Sequence, residues 1–279
     1  LLAKHWRLAK EPAKAIVHLD LAGEQAVHNY ANLEAVDFLQ DALDQSLESP
    51  VDEMKRARWL CLLAEATYRL GDLNASLNHF SQGLELLGHP FPQSLFGMLI
   101  ATNIEFFKQC LYRVFPKYFL GRASKEELPV LLQAAGCYER LAQIRYLNNA
   151  KVETLHSAFK SLNLSEKAGQ STELARSYSN AAVCNGLLLL HGVAQAHTQR
   201  ALVVAEKADD RPCSAYVDFI NGVYWITVGN WDECNQALER AVHTAEEIGD
   251  MRRYDESAFT LVNALARQGK FTESAELAK

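Results

Sequence analysis

The sequence repeats itself with a step of forty residues, and this period restricts the fold more than any other feature. Glu-Lys-Ala-Gly at 166–169 returns as Glu-Lys-Ala-Asp at 206–209 and as Glu-Glu-Ile-Gly at 246–249. The residues that we predict to lie in turns follow the same step: Asn149, Leu189, Gly229 and Gly269. Such a period is the signature of stacked structural repeats. We therefore expect four units, beginning near residues 135, 175, 215 and 255.

Each unit has the pattern of two amphipathic helices joined by a turn. In the third unit, 216–225 form the predicted first helix and 229–231 the turn. Apolar residues then recur at helical spacing along the second helix: Cys234, Leu238, Ala241 and Val242. Gly222 is small enough to let the two helices cross closely, and Gly229 can adopt the positive φ that ends a helix.

These positions resemble the tetratricopeptide repeat (TPR), a family with small residues at fixed places in both helices, a glycine and an aromatic residue in the turn, and Ala-Leu near the end. Two earlier units resemble it as well. One lies near 57–87 with its turn at 71–73, and the other near 16–47, with Tyr30 and Asn32 in its turn. The resemblance implies an all-α fold, a right-handed α-solenoid of TPR-like helical hairpins.

Residues 88–134 break the period and predict an atypical long-helix insert in the middle of the chain. An apolar helix is expected from about 93 to 114, and Ser124 with Glu127 fits a capping box that starts the next helix. Two alternatives remain open for this connector. It is a long helix packed across the array, joining two subarrays, or a docking surface, since an exposed apolar patch of that size needs a partner.

The predicted division of the chain has three parts. N-terminal TPR-like repeats occupy 1–87, the helical connector 88–134, and four units of about forty residues 135–279, the last one truncated. The connector is rich in aromatic residues: Phe91, Phe96, Phe106, Phe107, Tyr112, Phe115, Tyr118 and Phe119.

Motifs for catalysis are missing from the sequence. It has no G-x-x-x-x-G-K-S/T phosphate loop, no G-x-G-x-x-G, no H-E-x-x-H and no C-x-x-C. Glu24 with His28, and Glu239 with His243, could each supply two metal ligands on one helix face, but a structural zinc site needs four. No set of acid, base and nucleophile is recognisable. We therefore predict no enzyme activity, no cofactor and no metal.

Charge and hydropathy exclude two further classes. The net charge of −6 is unlike the basic surface of a nucleic-acid binder. No stretch approaches 18 consecutive apolar residues, so no membrane span is expected. Without a recognisable signal peptide, we expect a cytoplasmic protein. Since the sequence begins without Met, inside a helical pattern, we expect it to be a piece of a longer protein.

A second resemblance extends over most of the chain. Four segments in order, 87–92, 115–122, 138–142 and 162–169, are similar to the C-terminal region of large multidomain signalling ATPases of the AAA/STAND type. In that family a nucleotide cyclase or kinase domain can precede an ATPase module and then a helical array. The resemblance implies an interaction, scaffolding and regulatory module that binds a protein, a peptide or a sister domain of the same polypeptide.

TPR geometry also implies where a partner would bind. First helices line the concave side of such arrays, and aromatic and arginine side chains dominate binding energy at protein interfaces. The residues carried over to that face are Arg58, Glu65, Tyr68, Arg69, Glu139, Gln143, Tyr146, Arg176, Ser179, Tyr216 and Phe219. The alternative hypothesis is a small-molecule sensor, with a pocket formed by the aromatic connector against the solenoid, beside Phe106 and Tyr118.

Overall fold

The computed structural model describes residues 11–278, and within that range it contains fourteen helices and no strand. The helices are α1 (Pro12–His28), α2 (Asn32–Glu48), α3 (Glu53–Arg69), α4 (Leu73–Leu86), α5 (Leu95–Val114), α6 (Pro116–Phe119), α7 (Glu127–Leu147), α8 (Lys151–Ala168), α9 (Thr172–Leu187), α10 (His191–Ala208), α11 (Arg211–Val228), α12 (Trp231–Ile248), α13 (Met251–Arg267) and α14 (Phe271–Leu277). None of these described helices is long and apolar enough to cross a bilayer.

Successive helices pack in pairs, as the repeat pattern predicts. The pairs are α1 with α2, α3 with α4, α7 with α8, α9 with α10, α11 with α12, and α13 with α14. The all-α class of TPR-like helical hairpins is confirmed by this arrangement. The chain divides into two compact units, with the boundary between Leu95 and Phe96. That boundary lies inside the predicted connector 88–134, and the three-part division stays a prediction.

The forty-residue period is visible in the backbone of the second unit. Asn149, Leu189, Gly229 and Gly269 have φ of 56°, 60°, 70° and 79°. Each of these left-handed residues ends a first helix with the same hydrogen bond, from the following backbone N–H to the carbonyl five residues earlier, as in a Schellman motif. The pairs are Ala150 to Arg145, Leu190 to Asn185, Asn230 to Trp225, and Lys270 to Leu265. The predicted turns are therefore confirmed.

A close approach of two helices requires a glycine within the third hairpin of the second unit. A Cβ built on Gly222 of α11 would lie 2.6 Å from Leu238 Cγ and Cδ2 of α12. The close crossing predicted at Gly222 is thus confirmed. Tyr224, Leu238 and Leu261 then form one buried core that joins α11, α12 and α13.

The long helix α7 begins eight residues before the predicted start of its unit. Ser124 and Glu127 explain this early start, because the backbone N–H of each donates to the side chain of the other, at 3.0 and 3.1 Å. This reciprocal pair is the predicted capping box, which satisfies two N–H groups at the helix end.

Candidate functional site

A cleft of about 370 Å³ lies between the first helices of the two hairpins in the first unit, α1 and α3. Its lining residues are Glu24, Val27, His28, Tyr30, Arg58, Leu62 and Arg69. Arg58 and Arg69 belong to the set predicted from TPR geometry. Glu24, His28 and Tyr30 do not, because the TPR match is weaker in their repeat, 16–47, than in the repeat at 57–87. The signal that could have found them is the weaker repeat at 16–47, taken in the same register.

Ion pairs and one ring contact hold the arginines of this cleft in place. Arg58 Nη2 lies 2.6 Å from Glu24 Oε1. Arg69 donates to Glu65 Oε1 at 2.9 Å and to the Val27 carbonyl at 2.8 Å, and its Cζ lies 4.6 Å from the centre of the Tyr30 ring. Arg69 is therefore fixed by three groups, whereas the Arg58 side chain is 51% exposed and can reach a partner.

A second cluster lies on the first helices of the second unit and is centred on Tyr216. The Tyr216 hydroxyl accepts a hydrogen bond from Gln143 Nε2 and donates one to Asn180 Oδ1 at 3.0 Å. Gln143 Nε2 also donates to Glu139 Oε1 at 3.3 Å. Because these residues belong to α7, α9 and α11, their side chains tie three successive hairpins together. Tyr216 is only 4% exposed, so its main contribution is to this packing.

Two guanidinium groups lie over aromatic rings in the same cluster. Arg176 Cζ is 5.4 Å from the centre of the Tyr216 ring, and Arg253 Cζ is 4.9 Å from the rings of both Tyr216 and Phe219. Burial lowers the pKa of Arg176, but the charges around it, Glu139 first, outweigh burial and raise it. Burial also raises the pKa of Tyr216. The cluster thus keeps Arg176 cationic and Tyr216 neutral.

Arg253 is the member of this cluster that the sequence does not reveal. Arg252-Arg253 reads as an ordinary pair of surface cations at the start of a helix. In the structure, the Arg253 side chain is largely buried and donates to Glu256 Oε2 at 2.7 Å. Its position over Tyr216 depends on the stacking of one hairpin on the next, which local spacing does not specify.

The predicted set therefore separates into two clusters and three other residues. The structure brings Arg58, Glu65 and Arg69 together in the first unit. It brings Glu139, Gln143, Arg176, Tyr216 and Phe219 together in the second unit. Within the described range, Tyr68, Tyr146 and Ser179 join neither cluster through a side-chain hydrogen bond or ring contact. Ser179 is fully buried with no hydrogen-bond partner for its hydroxyl, Tyr68 is half-buried and Tyr146 is exposed.

The two connector aromatics named for a sensor pocket, Phe106 and Tyr118, have different surroundings. Phe106 packs edge-on against Phe159, with ring centres 5.7 Å apart. Tyr118 is 76% exposed, and a side chain that open lines no enclosed site. In the part of the chain that the structure describes, no group of three or more His, Cys, Asp or Glu side chains could hold a metal ion.

The chain is similar in structure to solved proteins, but its sequence matches no known family. No protein-family model matches the chain, and no curated protein matches it either. Among solved structures, the chain is similar to aspartyl phosphate phosphatase F from Bacillus subtilis, with a TM-score of 0.57 and 11% sequence identity over 97% of this chain and 69% of that one. At this identity the likeness supports the fold alone.

Two other solved structures are similar at lower TM-scores. A Rap protein complexed with competence and sporulation factor gives 0.47 at 12% identity, over 95% of this chain and 75% of that one. The TPR2AB domain of yeast Sti1 complexed with pHSP90 gives 0.36 at 16% identity, over 94% and 95%. The described helices and the likeness to the phosphatase structure support a TPR-like helical-repeat fold for the chain.

Proposed function

We propose that this chain is a protein-interaction module, without catalytic activity of its own, that binds a peptide or protein segment through its first-helix faces. The observation that carries the proposal is the cleft between α1 and α3. Next to it, Arg69 is stacked on Tyr30, whose ring is 54% exposed, and Arg58 is half exposed. Tyrosine and arginine are the residues in which interface binding energy concentrates.

The arrangement of these groups favours an extended segment over a compact ligand. The cleft lies open along two neighbouring first helices, and its walls alternate between apolar groups, Val27 and Leu62, and charged ones, Glu24 and Arg58. A segment with an apolar side chain flanked by polar groups matches that pattern. Because Glu65 and the Val27 carbonyl already hold Arg69, the guanidinium loses little freedom when a partner binds.

Selection of peptides from a random phage-displayed library on the immobilised chain tests the proposal. The selected peptide is then titrated against Arg58→Ala, Tyr30→Ala and a matched control, Arg211→Ala. The control removes an arginine of similar exposure that belongs to the second unit and is paired with Glu247 on α12. We expect about tenfold weaker binding in the two cleft variants, which corresponds to about 1.4 kcal/mol, and no change in the control. Equal affinities in all three variants would contradict the proposal.

The setting proposed for this module is cytoplasmic, within a multidomain signal-transduction ATPase or nucleotide cyclase. In that setting, binding at the first-helix faces regulates a catalytic domain of the same polypeptide, or the faces bind a sister domain directly. Support comes from the four sequence segments, 87–92, 115–122, 138–142 and 162–169, which resemble that family and follow one another in the same order. The full-length reading frame decides: a phosphate-loop motif upstream of Leu1 supports the setting, and a frame without any nucleotide-binding domain contradicts it.

A further inference from the structure

Helix α5 is amphipathic, but its polar face is buried and its apolar face is exposed. Its buried residues include two strongly polar ones, Glu105 and Gln109, alongside Met98 and Tyr112. The opposite face is apolar, and its large side chains are between 43% and 75% exposed. They are Phe96, Leu99, Ile100, Ile104, Phe107, Leu111 and Val114. We call these seven residues the α5 stripe.

A hydrogen-bonded ionic network fixes the polar face of α5 against α8. Glu105 Oε1 accepts from Lys108 Nζ at 2.9 Å and from Lys160 Nζ at 3.2 Å, while Oε2 accepts from Asn163 at 2.7 Å. The next turn of α5 repeats the scheme. Gln109 Nε2 donates to Asn163 Oδ1 at 2.7 Å, which closes the first half of the network.

The second half of the network involves a fully buried carboxylate. Glu166 Oε2 accepts from Gln109 at 2.7 Å, and Oε1 accepts from Arg113 and from the Tyr178 hydroxyl. Turning α5 about its axis to bury the stripe would take Gln109 and Arg113 away from the buried carboxylate of Glu166 on α8, which is strongly unfavourable. The network therefore holds the α5 stripe outward.

The spacing of the stripe fits a second helix. Ile100, Ile104, Phe107, Leu111 and Val114 follow one another at steps of four, three, four and three residues. This is the seam spacing of helices that pack side by side in a coiled coil. A contiguous exposed apolar surface of this kind on a folded domain marks an interaction site.

The cations at the edges of the α5 stripe favour a partner with acidic side chains. Lys108 and Arg113 lie on its two edges, with side chains 41% and 26% exposed, while the carboxylates that pair with them, Glu105 and Glu166, are buried. Lys117 and Arg122, which follow α5, are exposed cations as well. On α5 itself, the charged side chains that remain exposed beside the apolar seam are therefore cations. A second copy of α5 would place like charges against these edges.

We propose that the α5 stripe docks an amphipathic helix of a partner protein, one whose apolar seam is flanked by acidic residues. This site is separate from the α1–α3 cleft. It rests on the general premise that the chain binds proteins, but its experiment uses a different surface and a different probe. A failure here leaves the cleft proposal standing, and the reverse also holds.

The probe is a designed four-heptad peptide with Ile and Leu at the seam positions and Glu at the flanking e and g positions, which discourages the peptide from pairing with itself. Its twin carries Lys at e and g. Fluorescence anisotropy with the full chain measures both affinities. We expect the acidic peptide to bind at least tenfold more tightly than the basic twin. Equal binding, or tighter binding of the basic twin, would overturn the charge argument.

The double variant Phe107→Ser/Leu111→Ser tests the location. Both side chains are exposed, so the helical circular dichroism should not change. We expect at least a tenfold loss of affinity for the acidic peptide, and no loss for Phe259→Ser, which removes an exposed phenylalanine on α13. Binding that survives the double variant would overturn the proposal.

Two other occupants are outcomes of the same series. Sedimentation of the wild-type chain as a dimer that the double variant abolishes would assign the stripe to a second copy. Co-sedimentation with phosphatidylserine–phosphatidylcholine vesicles that the same variant abolishes, without binding of the acidic peptide, would assign it to a lipid surface. Either result overturns the acidic-helix proposal. A monomeric chain that does not co-sediment with vesicles and that binds the acidic peptide supports the acidic-helix proposal.

Discussion

In two hairpins a single glycine controls how closely the two helices approach. Gly222 faces Leu238 directly, and the first unit has the same device, since a Cβ on Gly23 would lie 2.7 Å from Leu39 Cδ2. Both leucines are fully buried. An added methyl group therefore has no space to enter unless the buried leucine or its helix shifts.

We predict that Gly222→Ala lowers the free energy of unfolding by about 1–3 kcal/mol through overpacking. Gly136→Ala is the matched control, because Gly136 also lies within a helix but a methyl group added there would meet nothing within 4 Å. That control should be neutral or gain up to about 1 kcal/mol from helix propensity. Urea unfolding monitored by circular dichroism measures both. A Gly222→Ala protein as stable as wild type would refute the close-crossing explanation.

Two buried histidines make stability depend on pH. Burial lowers the pKa of His156 to about 4 and that of His197 to about 3, against a usual value of 6.5. The folded state keeps both imidazoles neutral, whereas the unfolded state protonates them below pH 6.5. The unfolded state thus binds more protons, so stability falls as the pH falls from 6.5 toward the folded pKa values.

We predict that the free energy of unfolding decreases between pH 6.5 and pH 4, by roughly 1.4 kcal/mol per pH unit for each histidine at most. The variant His197→Gln should show a shallower slope. His243→Gln, which changes an exposed histidine on α12, should keep the wild-type slope. Urea unfolding at a series of pH values gives the slopes, and an unchanged slope in His197→Gln would rule out this origin.

At the scale of helices, a network of polar contacts joins α5 to its neighbour α8. Its links to α8 include the bonds of Glu105, Gln109 and Arg113, with the Phe106–Phe159 ring contact beside them. Burial opposes the charged form of Glu105, but Lys108 and Lys160 outweigh it and lower its pKa. The carboxylate is thus held charged, and removing one partner from such a network is costly.

Arg113→Ala should therefore loosen α5 more than any other helix of its unit. We predict a loss of about 3 kcal/mol, since a fully buried Glu166 loses its cation. Hydrogen exchange should accelerate in α5 and stay slow in α11 and α12. Adding Glu166→Gln should restore part of the stability, because the double change removes the unpaired charge. A loss of less than about 1 kcal/mol, as expected for the exposed pair Arg211–Glu247, would contradict the role assigned to Arg113.

The sequence predicts the helices better than their buried faces. The turns recur at a fixed step of forty residues, so Asn149, Leu189 and Gly229 could be placed from the period alone. For α5, apolar periodicity identifies the helix but leaves open whether its apolar face is buried or exposed. The contacts that decide its orientation join Glu105 to Asn163 and Gln109 to Glu166, more than fifty residues apart. Local pattern carries no record of such distant hydrogen bonds.

Prediction of the binding face meets the same difficulty. TPR geometry correctly groups residues on first helices, but it does not separate those that pack from those that remain accessible. Tyr216 satisfies the motif and is buried by Arg253 of the next hairpin, while Arg58 satisfies it and stays half exposed. That distinction depends on how neighbouring hairpins stack.

At the scale of the whole molecule, the chain consists of two units with their own cores. In the first unit, Trp59 is fully buried and its Nε1 donates to Asp20 Oδ1 at 2.6 Å, within a core built from α1, α2 and α3. The second unit has further cores within its own hairpins. A unit with a complete core can fold alone.

We predict that a fragment of residues 96–279 folds independently. It should show the helical circular dichroism of the intact chain and unfold in one cooperative thermal transition. The control is a fragment that begins at residue 116 and therefore lacks α5. A neutral linker after Lys279 gives it the same length. This control should melt at a lower temperature. A non-cooperative melt of the 96–279 fragment would contradict the division at Leu95.

Hydrogen exchange of the full chain with and without a selected peptide tests the central claim most directly, namely that partners bind along the first helices. We predict slower exchange in α1 and α3, in the peptides that contain Glu24 to Tyr30 and Arg58 to Arg69, with α2 and α4 unchanged. Slower exchange confined to α2 and α4, or no change in any helix at saturating peptide, would contradict it.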